Sequence, residues 1–163
     1  HRMSVAQYVG RTFDVAAIAG ITPTGESQLR QELFSAGNTG AACTGIQKMV
    51  QRWLVEFSTI RGSMGWHLAS RGTDFMLRVQ KGYLRTEADV QAAYTAAAVQ
   101  ARQNLTNEDT GGEPADERFD FSTLNGIAIG SGAIQLYITL HSVAGSTYDI
   151  ILPIQTTPAN MVI

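Results

Sequence analysis

Four carboxylates fall between positions 113 and 120, at Glu113, Asp116, Glu117 and Asp120, with Arg118 standing among them. Paired carboxylates are the equipment of glycoside hydrolysis, in which one acid is kept protonated by an apolar pocket and a second is kept charged by solvent. Here the acids adjoin one polar break, NEDTGGEPA at positions 107–115, where the simpler expectation is a solvated acidic face. Arg118 is the single base between positions 106 and 163. Its planar fork can bridge Asp116, Glu117 or the carboxylate of a partner, the alternative being an exposed arginine at the entry to a strand.

Other chemistries find no footing. There is no G-x-S-x-G and no G-x-x-x-x-G-K, so neither a nucleophile elbow nor a phosphate-cradling loop is expected. The three histidines are widely separated, without CxxC or HExxH, so no zinc pattern is expected. His67 reads as a surface histidine and His141 as a sheet-facing one. Cys43, alone, excludes an internal disulfide and reads as a small core residue. No catalytic residue, metal ligand or cofactor is therefore expected, and the reading is of a chain that is not an enzyme.

Composition bounds the remaining classes. A net charge of −2 and a pI near 5.9, with no basic cluster interleaved by aromatics, argue against a nucleic-acid partner. No apolar run approaches the ~18 residues needed to span a bilayer, so no membrane is expected. The run Val15–Ile21, with Ala17 and Ala19, is short for a secretory segment and follows Asp14. Charge is uneven: residues 1–105 carry eleven Lys or Arg against seven acids, whereas residues 106–163 carry one against seven. Such polarity suits head-to-tail association with copies of itself or with a complementary neighbour, the alternative being acids that only solvate a loop.

The elements that position these groups follow from periodicity. The length of 163 residues fits one folded domain, 43–163, preceded by an extension over 1–42 with short strands. Within the extension, Thr12 to Ile21 and Gln28 to Phe34 flank the turn residues Pro23-Thr24-Gly25 and read as a loose hairpin. Thr44, three residues ahead of Gln47, predicts a capping box and a helix start. From there Ile46, Met49, Val50, Trp53, Leu54 and Phe57 form one buried face, with Gln47, Lys48, Gln51, Arg52 and Glu56 on the other.

Residues 58–73, punctuated by Gly62, Gly65 and Gly72, read as a loop longer than most connections in a compact domain. Met64 and Trp66 are its partner-contact candidates; the alternative is a loop pinned by Trp66 onto its own core. Asp74 predicts a cap for a short helix over Phe75 to Lys81, ended by Gly82. Thr86 with Asp89 predicts a second capped helix to about Leu105. Three strands follow, Arg118 to Ile129, Ala133 to Val143 and Thr147 to Ile154, joined by Gly-Ser-Gly and Ala-Gly-Ser turns. The fold class is α+β, with central helices packed on a C-terminal three-stranded antiparallel meander.

This order of features, CTGIQKMVQRWLVEFST, then GSM, then RGTDF, a helix, an acid-arginine junction and a meander ending in LPI, resembles the sheath-initiator or baseplate-wedge family of contractile phage tails, historically called lysozyme-like. The resemblance covers roughly Ile46 to Ile154. In that family a Glu-Pro-Arg motif precedes the sheet and is associated with wedge assembly. The matching positions are Glu117 and Arg118, followed by Phe119; no proline lies between them, and Pro114 falls upstream.

What the resemblance implies is a structural virion protein of the tail baseplate, assembled in the host cytoplasm. Six copies would surround the tail tube, contacting wedge proteins through Glu117, Arg118 and Phe119. A sheet edge would accept strands from the tail sheath protein, with Tyr137, Thr139, His141, Tyr148 and Ile150 as contact candidates. Another tail ring component, a terminator or connector, and a cell-wall glycoside hydrolase are the alternatives.

Overall fold

The computed structural model of the chain describes residues 14–15, 42–43 and 45–156. Its architecture is α+β: three helices packed against a three-stranded antiparallel sheet. The elements in order are β1 (Asp14–Val15), β2 (Ala42–Cys43), α1 (Ile46–Ser58), α2 (Phe75–Gln80), α3 (Glu87–Glu108), β3 (Phe119–Gly130), β4 (Ala133–Ser142) and β5 (Thr147–Gln155). The sheet runs β3-β4-β5 as a meander. Helix α1 covers β4 and β5, while α3 runs against β3.

The expected helical face of α1 is buried at Met49, Val50, Trp53, Leu54 and Phe57, with Ile46 half-buried. Trp53 and Phe57 stack with ring centroids 4.7 Å apart, and Phe57 also meets Phe75 at 4.9 Å and Tyr94 at 5.7 Å. These rings join three helices before any contact with the sheet. Burying such a ring contributes about 1.5–3 kcal/mol.

Helix α1 begins at Ile46, and Gly45 takes the N-cap position. Thr44 lies outside the described residues. The opposite face is not uniformly solvated, since Gln51 and Glu56 are buried. Helix α1 is enclosed by the following loop as well as by the sheet, so its polar stripe is partly interior.

Helix α2 ends one residue earlier than expected. Asp74 occupies its N-cap position without a side-chain cap bond; instead its carboxylate accepts from the Gln100 amide at 2.8 Å. Gly82, at φ +68°, closes a Schellman-type end in which the Gly82 N–H donates to Val79 and the Tyr83 N–H to Arg78. The capping box of α3 forms as expected: Thr86 Oγ1 accepts from the Asp89 N–H, and the Asp89 carboxylate accepts from the Thr86 N–H. Its alanines at 93, 97 and 101 are buried and let it lie close to its neighbours.

At the N-terminal end, β1 pairs with β2, Asp14 opposite Cys43 and Val15 opposite Ala42, so the strand expected near Val15 finds its partner beside α1. The second expected strand, Gln28 to Phe34, lies outside the described residues, as does the linker at 35–40. Neither burial nor contacts are described for the Cys43 side chain.

Candidate functional site

The junction between α3 and β3 gathers the acids and Arg118, but divides them among separate partners. Glu117 is fully buried. Its Oε1 accepts the Gly45 N–H at 3.1 Å, and its Oε2 lies 3.7 Å from Lys48 Nζ. The carboxylate therefore sits at the start of α1, where unpaired N–H groups and the helix dipole favour negative charge. Asp120 pairs with Arg102 at the surface, 2.9 Å away. Glu113 accepts from the Thr110 N–H and hydroxyl. A hydrogen bond from its own N–H, reinforced by Thr110, holds its carboxyl below the usual range despite opposing desolvation.

The arrangement does not supply a hydrolytic pair. Glu117, the one fully buried acid of this cluster, is engaged by the Gly45 N–H and the Lys48 ammonium, and its burial leaves it inaccessible to a substrate. Among the described residues no group of three metal-ligating side chains converges.

A second cluster extends from the junction to the long loop. Arg52 bonds Asp109 at 3.1 Å and Glu108 at 3.3 Å, and its other amino group approaches the Glu117 carbonyl at 3.5 Å. Burial acts to lower the Arg52 pKa, but the Asp109 hydrogen bond and the field of Glu108 outweigh it, so the guanidinium is held above its ordinary value. Glu108 also meets Arg71 at 3.0 Å, and Arg71 reaches buried Glu56 at 2.6 Å. Glu56 Oε1 accepts both the Gly72 N–H at 2.8 Å and the Asn104 amide at 2.6 Å.

These bonds close the neck of the loop. Thr73 donates its N–H to the Thr59 carbonyl and accepts from the Arg61 N–H, and Ile60 bridges Thr73. Gly72, at φ +88°, passes so near Thr59 that a Cβ there would lie 2.5 Å from its carbonyl oxygen. A short 3-10 turn over Trp66–Leu68 shapes the tip. There Trp66 is 89% exposed, Met64 48% and Leu68 38%, so Trp66 does not pin the loop to the core. A rigid neck thus presents an apolar tip to solvent, an arrangement that marks interaction surfaces.

Arg118 is half-buried beside the β4–β5 turn, its carbonyl accepting the Val143 N–H. Its Nε is buried without a hydrogen-bond partner among the described residues, and its guanidinium makes no ion pair among them. Phe119 turns into the core against Trp53. Of the three junction candidates, Glu117 and Phe119 are therefore interior, and Arg118 alone is partly exposed.

The sheet candidates divide by parity. Tyr137, Thr139 and His141 lie on the outer face, whereas Tyr148 and Ile150 are buried; these two are corrected to core residues. The register decides it: Leu140 faces Tyr148 and Ile138 faces Ile150, all on the helix side of the sheet. On the outer face, Asn125 donates to Thr139 and Thr139 to Asp149, both at 2.6 Å, forming a polar ladder across three strands. His141 stacks on Phe121 at 4.0 Å and lies 3.3 Å from the Thr123 hydroxyl.

The backbone of β5 alternates too. The Ser142 N–H donates to Ser146 and the Thr156 N–H to Gly132, so the pairs of that parity carry the ladder between β4 and β5. The backbone groups of Thr147, Asp149, Ile151 and Gln155 consequently point away from β4. Pro153, which lacks an N–H, falls on the same outward set, where no ladder bond is lost. Among the described residues no strand pairs with that edge.

Residue type does not reveal which face of an isolated strand is inward; for Tyr148 and Ile150 the register against β4 does. The role of Glu56 was hidden by its position on the apparently polar face of α1. The signal available was Gly72, whose backbone must approach something closely. No protein-family model, curated protein or solved structure matches this chain.

Proposed function

We propose that this chain is a non-enzymatic structural protein of a contractile phage tail baseplate, which nucleates sheath assembly by accepting a strand from the tail sheath protein along β5 and contacts wedge proteins beside Arg118. The observation that carries the reading is the β5 edge: nine residues long, with outward backbone groups at Thr147, Asp149, Ile151 and Gln155. Strand addition supplies those groups with partners, and alternating side chains set the register. Pro153 limits the pairing near one end, which blunts the edge against indefinite addition.

Arg118 supports the wedge contact. A half-buried guanidinium that makes no ion pair among the described residues gains from a carboxylate brought by a partner to its exposed side, since its desolvation is already partly incurred. Six copies around the tail tube, within a virion baseplate, complete the proposal. Another tail ring component would use the same edge toward tube or portal proteins rather than sheath.

The test mixes purified chain with sheath protein and with wedge proteins, and follows polymerisation by light scattering and electron microscopy. Ile151→Pro removes an outward N–H and leaves the β4–β5 ladder bonded, so the protein should fold and fail to nucleate sheath. Ile150→Pro removes an internal bond and serves as the unfolding control. Sheath assembly that is indifferent to the chain, or undiminished by Ile151→Pro in a folded protein, would overturn the reading.

A further inference from the structure

The sheet has a second edge, formed by β3 beside α3. Because the even positions of β4 bond β5, its odd positions bond β3, so Phe121 and Thr123, opposite His141 and Thr139, give their backbone groups to that ladder. Ser122 and Leu124 each turn an N–H and a carbonyl the other way. Among the described residues no strand pairs with them.

Those groups open into a groove of about 400 Å³ between β3 and α3, walled on the helix by Thr95, Ala98 and Val99. The side chains of Ser122 and Leu124 turn toward the helix, where Ser122 Oγ accepts from the Tyr94 hydroxyl at 2.7 Å and Leu124 packs on the core. Phe121 and Thr123 stay on the outer face with His141. The groove therefore runs along the edge of the strand and not along either face.

The strand is irregular on both sides of this stretch. Its register against β4 shifts between Phe119 and Phe121 and again between Leu124 and Gly126. Such bulges bend an edge and interrupt further pairing. Between them lies a regular window, Phe121 to Leu124, and the same four residues are the part of β3 that lines the groove.

We infer that this groove takes an extended peptide segment of a partner, which adds a short strand to β3 along the wall of α3. Outward N–H and carbonyl groups recurring at alternate residues are met together by another strand, and by no helix. Helix α3 adds the side-chain selection. Alternate residues of the segment point to the helix side, where Ala98, Val99 and Leu124 favour apolar groups; Val99, 62% exposed, gains burial there. The one charged residue of the lining, Arg102, is matched by Asp120 at 2.9 Å, so the segment needs no charge. The site stands apart from β5, at the opposite edge of the sheet.

The experiment immobilises the full chain and selects from displayed random peptides; the enriched sequence, synthesised with capped ends, is the probe. Selected sequences should share apolar residues at alternate positions and no common charge. On binding, amide hydrogen exchange should slow at Ser122 and Leu124 and stay unchanged at Phe121 and Thr123, whose N–H groups are already bonded. Leu124→Pro removes an outward N–H, and Val99→Glu puts a carboxylate on the apolar wall; circular dichroism checks that each folds. Each should weaken binding by on the order of 10-fold, whereas Ile151→Pro on β5 should not.

A selection that yields no peptide protecting Ser122 and Leu124 would overturn the inference, as would binding undiminished by Val99→Glu in a folded protein. Peptides lost with Ile151→Pro and retained with Leu124→Pro would also overturn it and assign strand addition to β5 alone. Should Leu124→Pro not fold, the exchange pattern and Val99→Glu decide. Sheath assembly is read in a separate assay, so either result can fail without the other.

Discussion

Glu117 and Gly45 stand 72 positions apart in the chain, and the carboxylate of the first accepts the backbone N–H of the second at 3.1 Å. The bond ties the entry to the sheet to the start of the helix that covers it. Lys48, one turn into α1, faces the same carboxylate. Glu117→Ala should remove the buried acceptor that the Gly45 N–H bonds and that Lys48 faces. A loss on the order of 3 kcal/mol is expected, read as a lower midpoint in chemical denaturation. Glu117→Gln should lose less, since an amide oxygen can still accept from Gly45.

Gly72 sets the neck of the exposed loop. Alanine there would combine a strained positive φ with a Cβ 2.5 Å from the Thr59 carbonyl oxygen and 3.0 Å from Arg61 N. Both obstacles are backbone and cannot swing away. Gly72→Ala should cost about 3 kcal/mol and increase proteolytic cleavage within residues 59–73. Asn104→Ala should raise the same cleavage less steeply, because it removes side-chain bonds without forcing the backbone apart.

Tyr94 predicts an alkaline limit to stability. Burial pushes its hydroxyl up to about 12 from an ordinary 10.0, the hydrogen bond to Ser122 opposing the shift in part. The folded pKa is the higher, so the contribution is fully present below pH 10 and is lost as pH rises from 10 through about 12. The loss should be on the order of 2 kcal/mol. Urea titrations at pH 9 and 11.5 measure it, and Tyr94→Phe should lack that portion of the slope.

Asp89 predicts the opposite limit. The Thr86 hydroxyl, then the Thr86 N–H, hold its carboxyl below the ordinary 3.8. The folded pKa is the lower, so this contribution is present above 3.8 and is lost as pH falls through the depressed value. The stability difference between wild type and Asp89→Asn should shrink on acidification. Thr86→Ala removes the other half of the capping box and should cost about 1 kcal/mol at neutral pH.

Much of the fold is legible in the sequence because local signals and tertiary outcome agree. The alternation Ile134, Leu136, Ile138, Leu140 gives both the strand and its inner face, and Thr86 with Asp89 gives the start of α3 within a residue. Where the reading departs from the structure, a distant group has intervened. The start of α1 is satisfied by Glu117 from beyond two further helices, which no local spacing can disclose. Glu56 looks solvated from the helical period of α1 alone, yet is buried by Gly72, Arg71 and Asn104. The outward placement of Met64 and Trp66 depends on how the loop neck closes, and that closure joins residues separated in sequence.

In β5 the odd positions direct both backbone and side chain outward, while the even positions give both to the rest of the molecule. Identity at odd positions is consequently free to change with whatever binds there, at little cost to folding. Spacing is not. One residue inserted within the strand, between Tyr148 and Asp149, would exchange the two sets beyond it, placing Asp149 in the core and Ile150 in solvent. The strand is thus permissive of substitution and intolerant of a change in count, and a tally of surviving insertions and substitutions across positions 143–155 would display that asymmetry directly.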